Sequence, residues 1–249
     1  MPVLTKIEEG RPSWRPFFAL KAVGAALMAS ALAVSAPAHA AMRGFIVTNF
    51  DTIRVEAPVR IILTTGTGVR GSGEGERALL DRVKLSVSGG TLIVRMTDGP
   101  ELDDGAAEVP TIYLSTSQLR RAMVLGGGVL TIKELSGLEA DLSMNGNGEL
   151  IVEHADVDRL SLYVSGGGRM TINGAAKDVR ASVNGPGALE AENLVARNAT
   201  IGNDGVGSAH VTVNGTAKVV STGSGDTIVD GNAVCDVTRR GIGRILCGS

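Results

Sequence analysis

The sequence is poor in aromatic residues, cysteine and histidine, and each shortage argues against a class of function. Of 249 residues, 3% are aromatic, two are cysteine and three are histidine. Two cysteines are too few for a disulfide-rich scaffold or a four-cysteine zinc site. The formal net charge is −2, whereas a nucleic-acid-binding protein shows a basic patch or stacking aromatic residues. We therefore expect no nucleic-acid partner.

Motifs that carry catalysis or hold a cofactor are also missing. No serine lies in a G-x-S-x-G elbow. Gly-x-Gly triplets do occur, but they lead into strand-like segments, whereas a phosphate-binding loop leads into a helix. Neither His154 nor His210 has a cysteine or a second histidine at metal-ligand spacing, so surface histidines are the simpler interpretation. The sequence predicts no cofactor, no metal site and no enzyme.

Glycine, by contrast, is abundant, with 34 residues, and recurs in a fixed pattern. A Gly-x-Gly triplet repeats through the second half of the chain, with successive spacings of 20, 20, 19, 20, 18 and 18 residues. The second glycine of each triplet is Gly128, Gly148, Gly168, Gly187, Gly207, Gly225 or Gly243. Such a period is typical of repeat architectures, in which similar units stack on one another.

The residues on either side of each triplet alternate between apolar and polar side chains, as in half-buried strands. The position four residues before each triplet is always apolar: Ala122, Leu142, Leu162, Ala181, Ile201, Val219 and Val237. One unit of about 20 residues cannot bury its apolar face alone, whereas stacked units share a continuous core. We predict an all-β, single-stranded β-helix (a β-solenoid) with about 20 residues per rung, right-handed by the general crossover preference.

An antiparallel meander, with a hairpin at each triplet, has a similar period and is the alternative. The scarcity of aromatic residues favours the solenoid, whose narrow interior is filled by Val, Ile, Leu and Ala. In a solenoid, each triplet would lie at a corner where the backbone needs positive φ or leaves no room for a Cβ atom.

The N-terminus has the features of an export signal. Positive charges precede an apolar run at Ala22–Val34, and an A-x-A cleavage site ends at Ala40. A membrane anchor is the alternative, but the run is short and rich in alanine. We predict a signal peptide at 1–40, no transmembrane segment after its cleavage, and one solenoid domain at 41–249. Within that domain, residues 45–120 are expected to form less regular rungs and 121–249 regular ones.

Two segments interrupt the strand pattern in the less regular part. Residues 76–82 (ERALLDR) could form a single helical turn. Residues 97–109 carry five carboxylates with glycine and proline. We interpret the latter as a solvated loop, and calcium binding is the alternative, although the carboxylates lack the spacing of a known calcium loop.

The repeat changes character towards the C-terminus. An inward position that holds Val164 and Val183 holds Asn203, Ser221 and Arg239 in the later repeats, so the last rungs should be thinner or shifted in register. Cys235 and Cys247 both fall on inward positions of the last rung. We predict that they form a disulfide, and two buried free thiols are the alternative.

Some β-helices are polysaccharide lyases or glycosidases. Carboxylates on adjacent rungs are therefore candidate catalytic residues. The nearest candidates are Asp204 and Asp226, followed one rung later by Arg239 and Arg240. The two aspartates stand at different positions of the repeat, one before the turn and one after it. A solvated face is therefore the simpler interpretation.

The order of an export signal, FDTIRVEAPVRIILTTG, VKLSVSGGTLIVRM and then many G-x-G turns resembles a bacterial extracytoplasmic family, the auto-transporter adhesin head GIN domain. The resemblance covers about residues 45–247. It implies a β-helix of secreted or envelope-associated proteins with an adhesive role. We predict a non-enzymatic, exported protein of the periplasm or cell surface with an envelope glycan or protein as partner, and we expect no membrane-barrel segment of the autotransporter type. A carbohydrate-active enzyme is the alternative function.

Overall fold

The computed structural model describes residues 41–99 and 109–248. The predicted signal peptide and most of the acidic segment at 97–109 lie outside these residues. Up to residue 125, the described chain forms eight strands and one helix: β1 (Ala41–Gly44), β2 (Thr52–Val55), β3 (Arg60–Thr64), β4 (Arg70–Gly75), α1 (Arg77–Arg82), β5 (Val83–Ser88), β6 (Thr91–Met96), β7 (Thr111–Ser115) and β8 (Arg121–Leu125).

The rest of the described chain contains five long strands and three short ones. The long strands continue around bends, and several of their pairings shift register there, as β10 and β11 do between Val152 and Ala155. In order, these strands are β9 (Val129–Asn145), β10 (Glu149–Ser165), β11 (Arg169–Asn184), β12 (Ala188–Asn203), β13 (Ser208–Ser221), β14 (Thr227–Asp230), β15 (Val234–Arg239) and β16 (Ile245–Cys247).

Strands β8–β16 stack in parallel, one repeat above the next. Leu130 pairs with Leu150, and Leu150 pairs with Met170, so the register advances by one repeat of 20 residues at each step. The same parallel pairing continues through β12 and β13 to β15. This pairing confirms the predicted solenoid and excludes the antiparallel meander for this part of the chain.

Each regular rung has three straight segments, as the burial pattern of β10 shows. Buried and solvent-facing side chains alternate along the strand, but the alternation breaks at Glu153–His154 and again at Asp158–Arg159. The rung therefore bends at these two places and turns a third corner at its Gly-x-Gly triplet. We call residues 149–153, 154–158 and 159–165, with their equivalents in other rungs, the first, second and third segments.

Two constraints select glycine at the two ends of a triplet, namely a positive φ at several first positions and close backbone stacking at first and second positions alike. Gly166 has φ +90°, a conformation that side chains other than glycine rarely adopt. Gly187 has no positive φ, but a Cβ atom there would lie 2.7 Å from the carbonyl oxygen of Gly168 and 2.8 Å from that of Gly166. The stacked backbones thus leave no room for a side chain at the second position.

The N-terminal part is built differently from the rungs that its sequence pattern suggested. Strand β5 pairs antiparallel with β6 across a hairpin at Gly89–Gly90, so this glycine pair is not a solenoid corner. Strands β2 and β3 stack between β6–β7 and β8–β9, out of chain order. Strand β4 pairs antiparallel with β7, and β1 pairs antiparallel with β4 on its other side. The predicted helical turn is confirmed as α1, which buries Leu79 and Leu80.

The core becomes polar towards the C-terminal end without losing its register. Asn203 pairs with Val183 below it and with Ser221 above it, and both polar side chains are fully buried. The later rungs were expected to be thinner or shifted in register: this column keeps its register, whereas β12 and β13 shift register between Ala191 and Val195 and between Ala196 and Asn198. Arg239 occupies the same column in the last rung, where it is exposed. Within the described residues, no helix is long and apolar enough to cross a membrane.

Candidate functional site

The third segments of successive rungs form one side of the solenoid, which we call the grooved face. It extends from the rung of Arg121 to the rung of Asp236. Because the strands alternate, every second residue of these segments points outward, and parallel stacking aligns the outward residues in columns along the solenoid axis. Two of these columns border a depression.

The axial groove is this depression, with a volume of about 610 Å³. Its floor is the strand backbone at inward-pointing residues on five rungs: Leu160, Val179, Ala199, Ala217 and Cys235. At ~4.8 Å per rung, these five rungs span roughly 19 Å. Each floor residue is paired with the floor residues of the neighbouring rungs. The floor therefore presents little side-chain bulk, and of its five strands only the last, at Cys235, has an unpaired edge in the described structure.

One wall of the groove is held together by contacts between rungs. Arg159 Nη2 donates to Glu139 Oε2 at 3.2 Å. Asn198 Nδ2 donates to Asp178 Oδ1 at 2.9 Å, and Asn198 Oδ1 accepts from Thr216 Oγ1 at 2.8 Å. We call these five residues the paired column. Their polar groups already have protein partners, which fixes the wall and leaves it less free to bind a ligand.

The opposite wall has no such contacts. It consists of Ser161, Arg180, Thr200, Lys218 and Asp236, which are successive register partners. In the described part of the chain, none of these five side chains forms an ion pair or hydrogen bond. We call them the unpaired column. Only below it, where Arg121 Nη2 lies 3.0 Å from Asp141 Oδ2, does this wall contain an ion pair.

A second depression of about 480 Å³ adjoins the first on the grooved face. It is bordered by Met123 and Tyr163 and shares Ser161 and Arg180 with the axial groove. The Tyr163 side chain is 42% exposed, so it offers a flat apolar surface to solvent. Arg180 therefore stands between an aromatic surface and the axial groove.

The histidines lie away from this face. His154 is exposed at the start of a second segment, in register with Glu134. His210 points outward from a first segment, where its Nε2 lies 2.6 Å from Asp230 Oδ2 and its Nδ1 lies 3.9 Å from Glu192 Oε2. Across the described ranges, no three His, Cys, Asp or Glu side chains are grouped so that they could hold a metal ion.

The four residues considered for catalysis are not joined by any contact in the structure. Asp204 accepts a hydrogen bond from Thr222, whereas Asp226 pairs with Arg244 at 3.0 Å. Neither contact includes Arg239 or Arg240. The aspartates are engaged separately, so the structure does not assemble this set into a catalytic group.

Cys235 and Cys247 lie side by side in the last rung. The structure joins their sulfur atoms, and their Cα atoms are 6.3 Å apart. Cys235 also forms the last part of the axial-groove floor. The cystine thus lies where the groove meets the C-terminal end of the solenoid.

The sequence indicated which residues point outward but not that one face carries grooves. Alternation alone is the same on all three sides of a rung. The inward floor positions gave no signal for the groove, because Leu160, Val179, Ala199 and Ala217 all point into the solenoid.

Several solved structures share this fold. A putative adhesin from Bacteroides fragilis NCTC 9343 superposes with a TM-score of 0.76 at 19% identity, covering 84% of this chain and 96% of that chain. A putative lipid binding protein from Parabacteroides distasonis ATCC 8503 has a TM-score of 0.66 at 18% identity, covering 86% and 98%. A putative adhesin from Parabacteroides merdae ATCC 43184 has a TM-score of 0.64 at 15% identity, with the same coverages.

At these identities, the structural matches establish the fold alone. No curated protein matches the chain. The model of one protein family matches residues 49–233, which is most of the chain and includes nearly all of the grooved face. The chain therefore belongs to the family described as "Putative auto-transporter adhesin, head GIN domain".

Proposed function

We propose that this chain is an exported, adhesin-like binding protein of the bacterial envelope and that the grooved face is its binding surface. The unpaired column carries the proposal. Among the residues that the structure describes, the five consecutive outward polar side chains of this column have no protein partner, although the column beside them is bonded from rung to rung. Polar groups arranged in this way along a groove can form hydrogen bonds to a ligand without first breaking internal ones.

Three further observations support binding as the function. The family description names an adhesin, and two of the similar structures carry the same description. The N-terminal sequence predicts export. The grooves are open and extend across several rungs, which suits an extended ligand better than a small enclosed one.

We assign no catalytic step to the grooved face. Its carboxylates at Glu139 and Asp178 are bonded to Arg159 and Asn198, so they are not arranged as a facing acid and base. The competing function is a carbohydrate-active enzyme. Incubation with envelope polysaccharide, followed by a reducing-end and unsaturated-end assay, should detect no cleavage. Protein-dependent release of new chain ends would favour the enzyme instead.

Blocking the groove tests the binding surface directly. Thr200 stands in the middle of the unpaired column and is exposed, so Thr200→Trp should fill the groove without disturbing the core. His154 is equally exposed on another side, and His154→Trp is the matched control. We expect wild type and His154→Trp to bind isolated envelope fractions, and Thr200→Trp to lose that binding at an unchanged melting temperature. Equal binding by all three proteins would show that the grooved face is not the binding surface.

A further inference from the structure

We propose that the axial groove binds an acidic glycan, a linear polysaccharide that carries carboxylates, with its chain along the solenoid axis. This inference rests on the proposed binding role of the grooved face. The groove runs along the solenoid axis. The columns bordering it are built from equivalent positions of successive rungs, so the binding groups repeat every ~4.8 Å along the axis. A ligand that uses several of them must itself be linear.

The two cations of the unpaired column give the chemical class. Arg180 and Lys218 have no ion-pair partner in the described part of the chain, and Thr200 stands between them in the column. Two rungs therefore separate them, which is about 10 Å. Two carboxylates on an extended chain could engage both cations at once. Arg180 in particular can bind a carboxylate through two parallel N–H···O bonds.

The acidic residues of the groove compete unequally with a ligand for these two cations. Glu139 is ion-paired with Arg159, whereas Asp178 accepts a hydrogen bond from the neutral Asn198 and keeps its charge. The remaining carboxylate, Asp236, is the register neighbour of Lys218 at the end of the groove. The register neighbours of Arg180 are the uncharged Ser161 and Thr200, so we expect Arg180 to contribute most to binding.

The backbone of the floor argues for a glycan over a peptide. A peptide binds a sheet most readily by adding a strand to an unpaired edge. In this groove, Val179, Ala199 and Ala217 are paired on both sides with neighbouring rungs. What remains exposed on the unpaired wall is hydroxyl and charged groups, which suit the hydroxyls and carboxylates of a sugar chain. The exposed ring of Tyr163 adds an apolar surface beside Arg180.

The openness of the groove argues against a lipid. An acyl chain gains affinity by leaving water, at roughly 25 cal/mol for each Å² of apolar surface buried. Four of the five floor side chains, Leu160, Val179, Ala199 and Ala217, point into the solenoid and are almost fully buried, so they offer little apolar surface. An acyl chain lying in this groove would stay largely in contact with water.

The test is calorimetric titration of the purified protein with a size-fractionated alginate oligosaccharide. The matched ligand is the same oligosaccharide with its carboxyl groups reduced to hydroxymethyl groups. Arg180→Gln and Lys218→Gln remove the two cations in turn. Arg197→Gln is the control variant, because Arg197 is exposed, has no ion-pair partner among the described side chains and does not line the groove. All three residues are at the surface, and a melting curve for each variant verifies folding.

We expect alginate to bind, with an affinity that falls as salt is raised, and the reduced oligosaccharide to bind at least tenfold more weakly. Arg180→Gln should weaken alginate binding by about tenfold, the usual cost of a lost charge-assisted contact. Lys218→Gln should weaken it less, and Arg197→Gln should leave it within about twofold, since surface ion pairs elsewhere add little.

Several results would overturn the inference. They are equal binding of the acidic and reduced oligosaccharides, equal effects of Arg180→Gln and Arg197→Gln, and no binding of alginate. Binding only to poly-L-glutamate or to phosphatidylglycerol vesicles would replace the glycan with a peptide or a lipid surface. If alginate does not bind while Thr200→Trp still abolishes binding to envelope fractions, the ligand is not an acidic glycan, but the grooved face remains the binding surface.

Discussion

Asn203 Nδ2 donates a hydrogen bond to Thr227 Oγ1 at 3.3 Å, and both side chains are fully buried inside the solenoid. Asn203 Nδ2 also lies 3.0 Å from the carbonyl oxygen of Gly207, and Asn203 Oδ1 accepts from the backbone N–H of Gly205 at 3.3 Å. The amide therefore connects the core to the following turn. A polar side chain in this apolar column is tolerated because its donors and its acceptor are satisfied.

Replacement of Asn203 should be costly, whereas replacement of its neighbour in the column should not. Asn203→Ala leaves buried backbone groups without partners, which typically costs about 1–3 kcal/mol. Ser221 Oγ, one rung above, is buried and has no hydrogen-bond partner among the described groups. We expect Ser221→Ala to be neutral or stabilising. Urea unfolding of both variants measures the difference, and equal losses of stability would contradict this account of the polar core.

Alanine substitution should distinguish the last glycine of a Gly-x-Gly triplet from the middle residue. At Gly187, an added Cβ atom would meet two backbone carbonyl oxygens of the preceding rung, and backbone cannot move aside as a flexible side chain can. Gly187→Ala should destabilise by about 1–3 kcal/mol, the range for overpacking. At Gly127, an added Cβ atom meets nothing within 4 Å. Gly127→Ala should melt within a degree or two of wild type, and similar melting of the two variants would contradict the stacking argument.

The repeat made the regular rungs predictable, because inward positions such as Leu142 and Leu162 recur at fixed spacing and parallel stacking follows from them. The N-terminal topology was not predictable in the same way. The pair Gly89–Gly90 resembles a solenoid turn in sequence, yet it closes an antiparallel hairpin. Which strands pair across it depends on contacts distant in sequence. The stacking of β2–β3 between later strands likewise depends on contacts distant in sequence, which the local alternation of apolar and polar residues does not determine.

The grooves escaped prediction for a different reason. Outward residues such as Arg180 and Lys218 were identifiable as outward, but their freedom from ion pairs depends on which rung neighbours reach them. Arg121 and Arg159 stand in similar positions and are paired with Asp141 and Glu139. Only the geometry of the side chains separates the two cases.

The stability of the protein should depend on the ionisation of Glu56. Arg95 Nε donates to Glu56 Oε2 at 2.6 Å, and Arg54 Nε lies 2.5 Å from Oε1. The hydrogen bond from Arg95, helped by the charge of Arg54 and opposed by partial burial, lowers the pKa of Glu56 below its usual 4.5. The folded state therefore binds this proton less readily than the unfolded state. The resulting stabilisation is present above the usual carboxyl pKa and is lost as the pH falls through the folded pKa.

Comparison of wild type with Glu56→Gln isolates this effect. The stability difference between them should be constant near neutral pH and shrink as the pH falls below about 4.5, because both side chains are then uncharged. Unfolding by urea at several pH values measures the difference. Asp98→Asn is a useful control, since it removes a carboxylate for which the described structure shows no ion pair. A gap that does not change with pH would show that Glu56 acts through packing alone.

The cystine at the end of the solenoid should stabilise the last rung. Cys235 and Cys247 are 12 residues apart in sequence, and closing such a loop contributes roughly 3 kcal/mol in the chain-entropy model. The rung it closes has little else to hold it, because Val237 lies in an inward column and is still 43% exposed. In the described structure no further rung pairs with β15, so β15 is an edge strand that frays readily.

Thiol titration of the denatured, non-reduced protein should therefore find no free thiol, and the protein should run as a monomer on a non-reducing gel. The double variant Cys235→Ser/Cys247→Ser should lower the unfolding free energy by about 3 kcal/mol. Hydrogen exchange should quicken first at Val234–Arg239 and Ile245–Cys247 and much less at Glu149–Ser165, since the cross-link constrains only the end of the solenoid. Two free thiols per chain would reject the disulfide. A uniform rise in exchange along the whole solenoid would instead mean that the cross-link stabilises all rungs together, as a single cooperative unit.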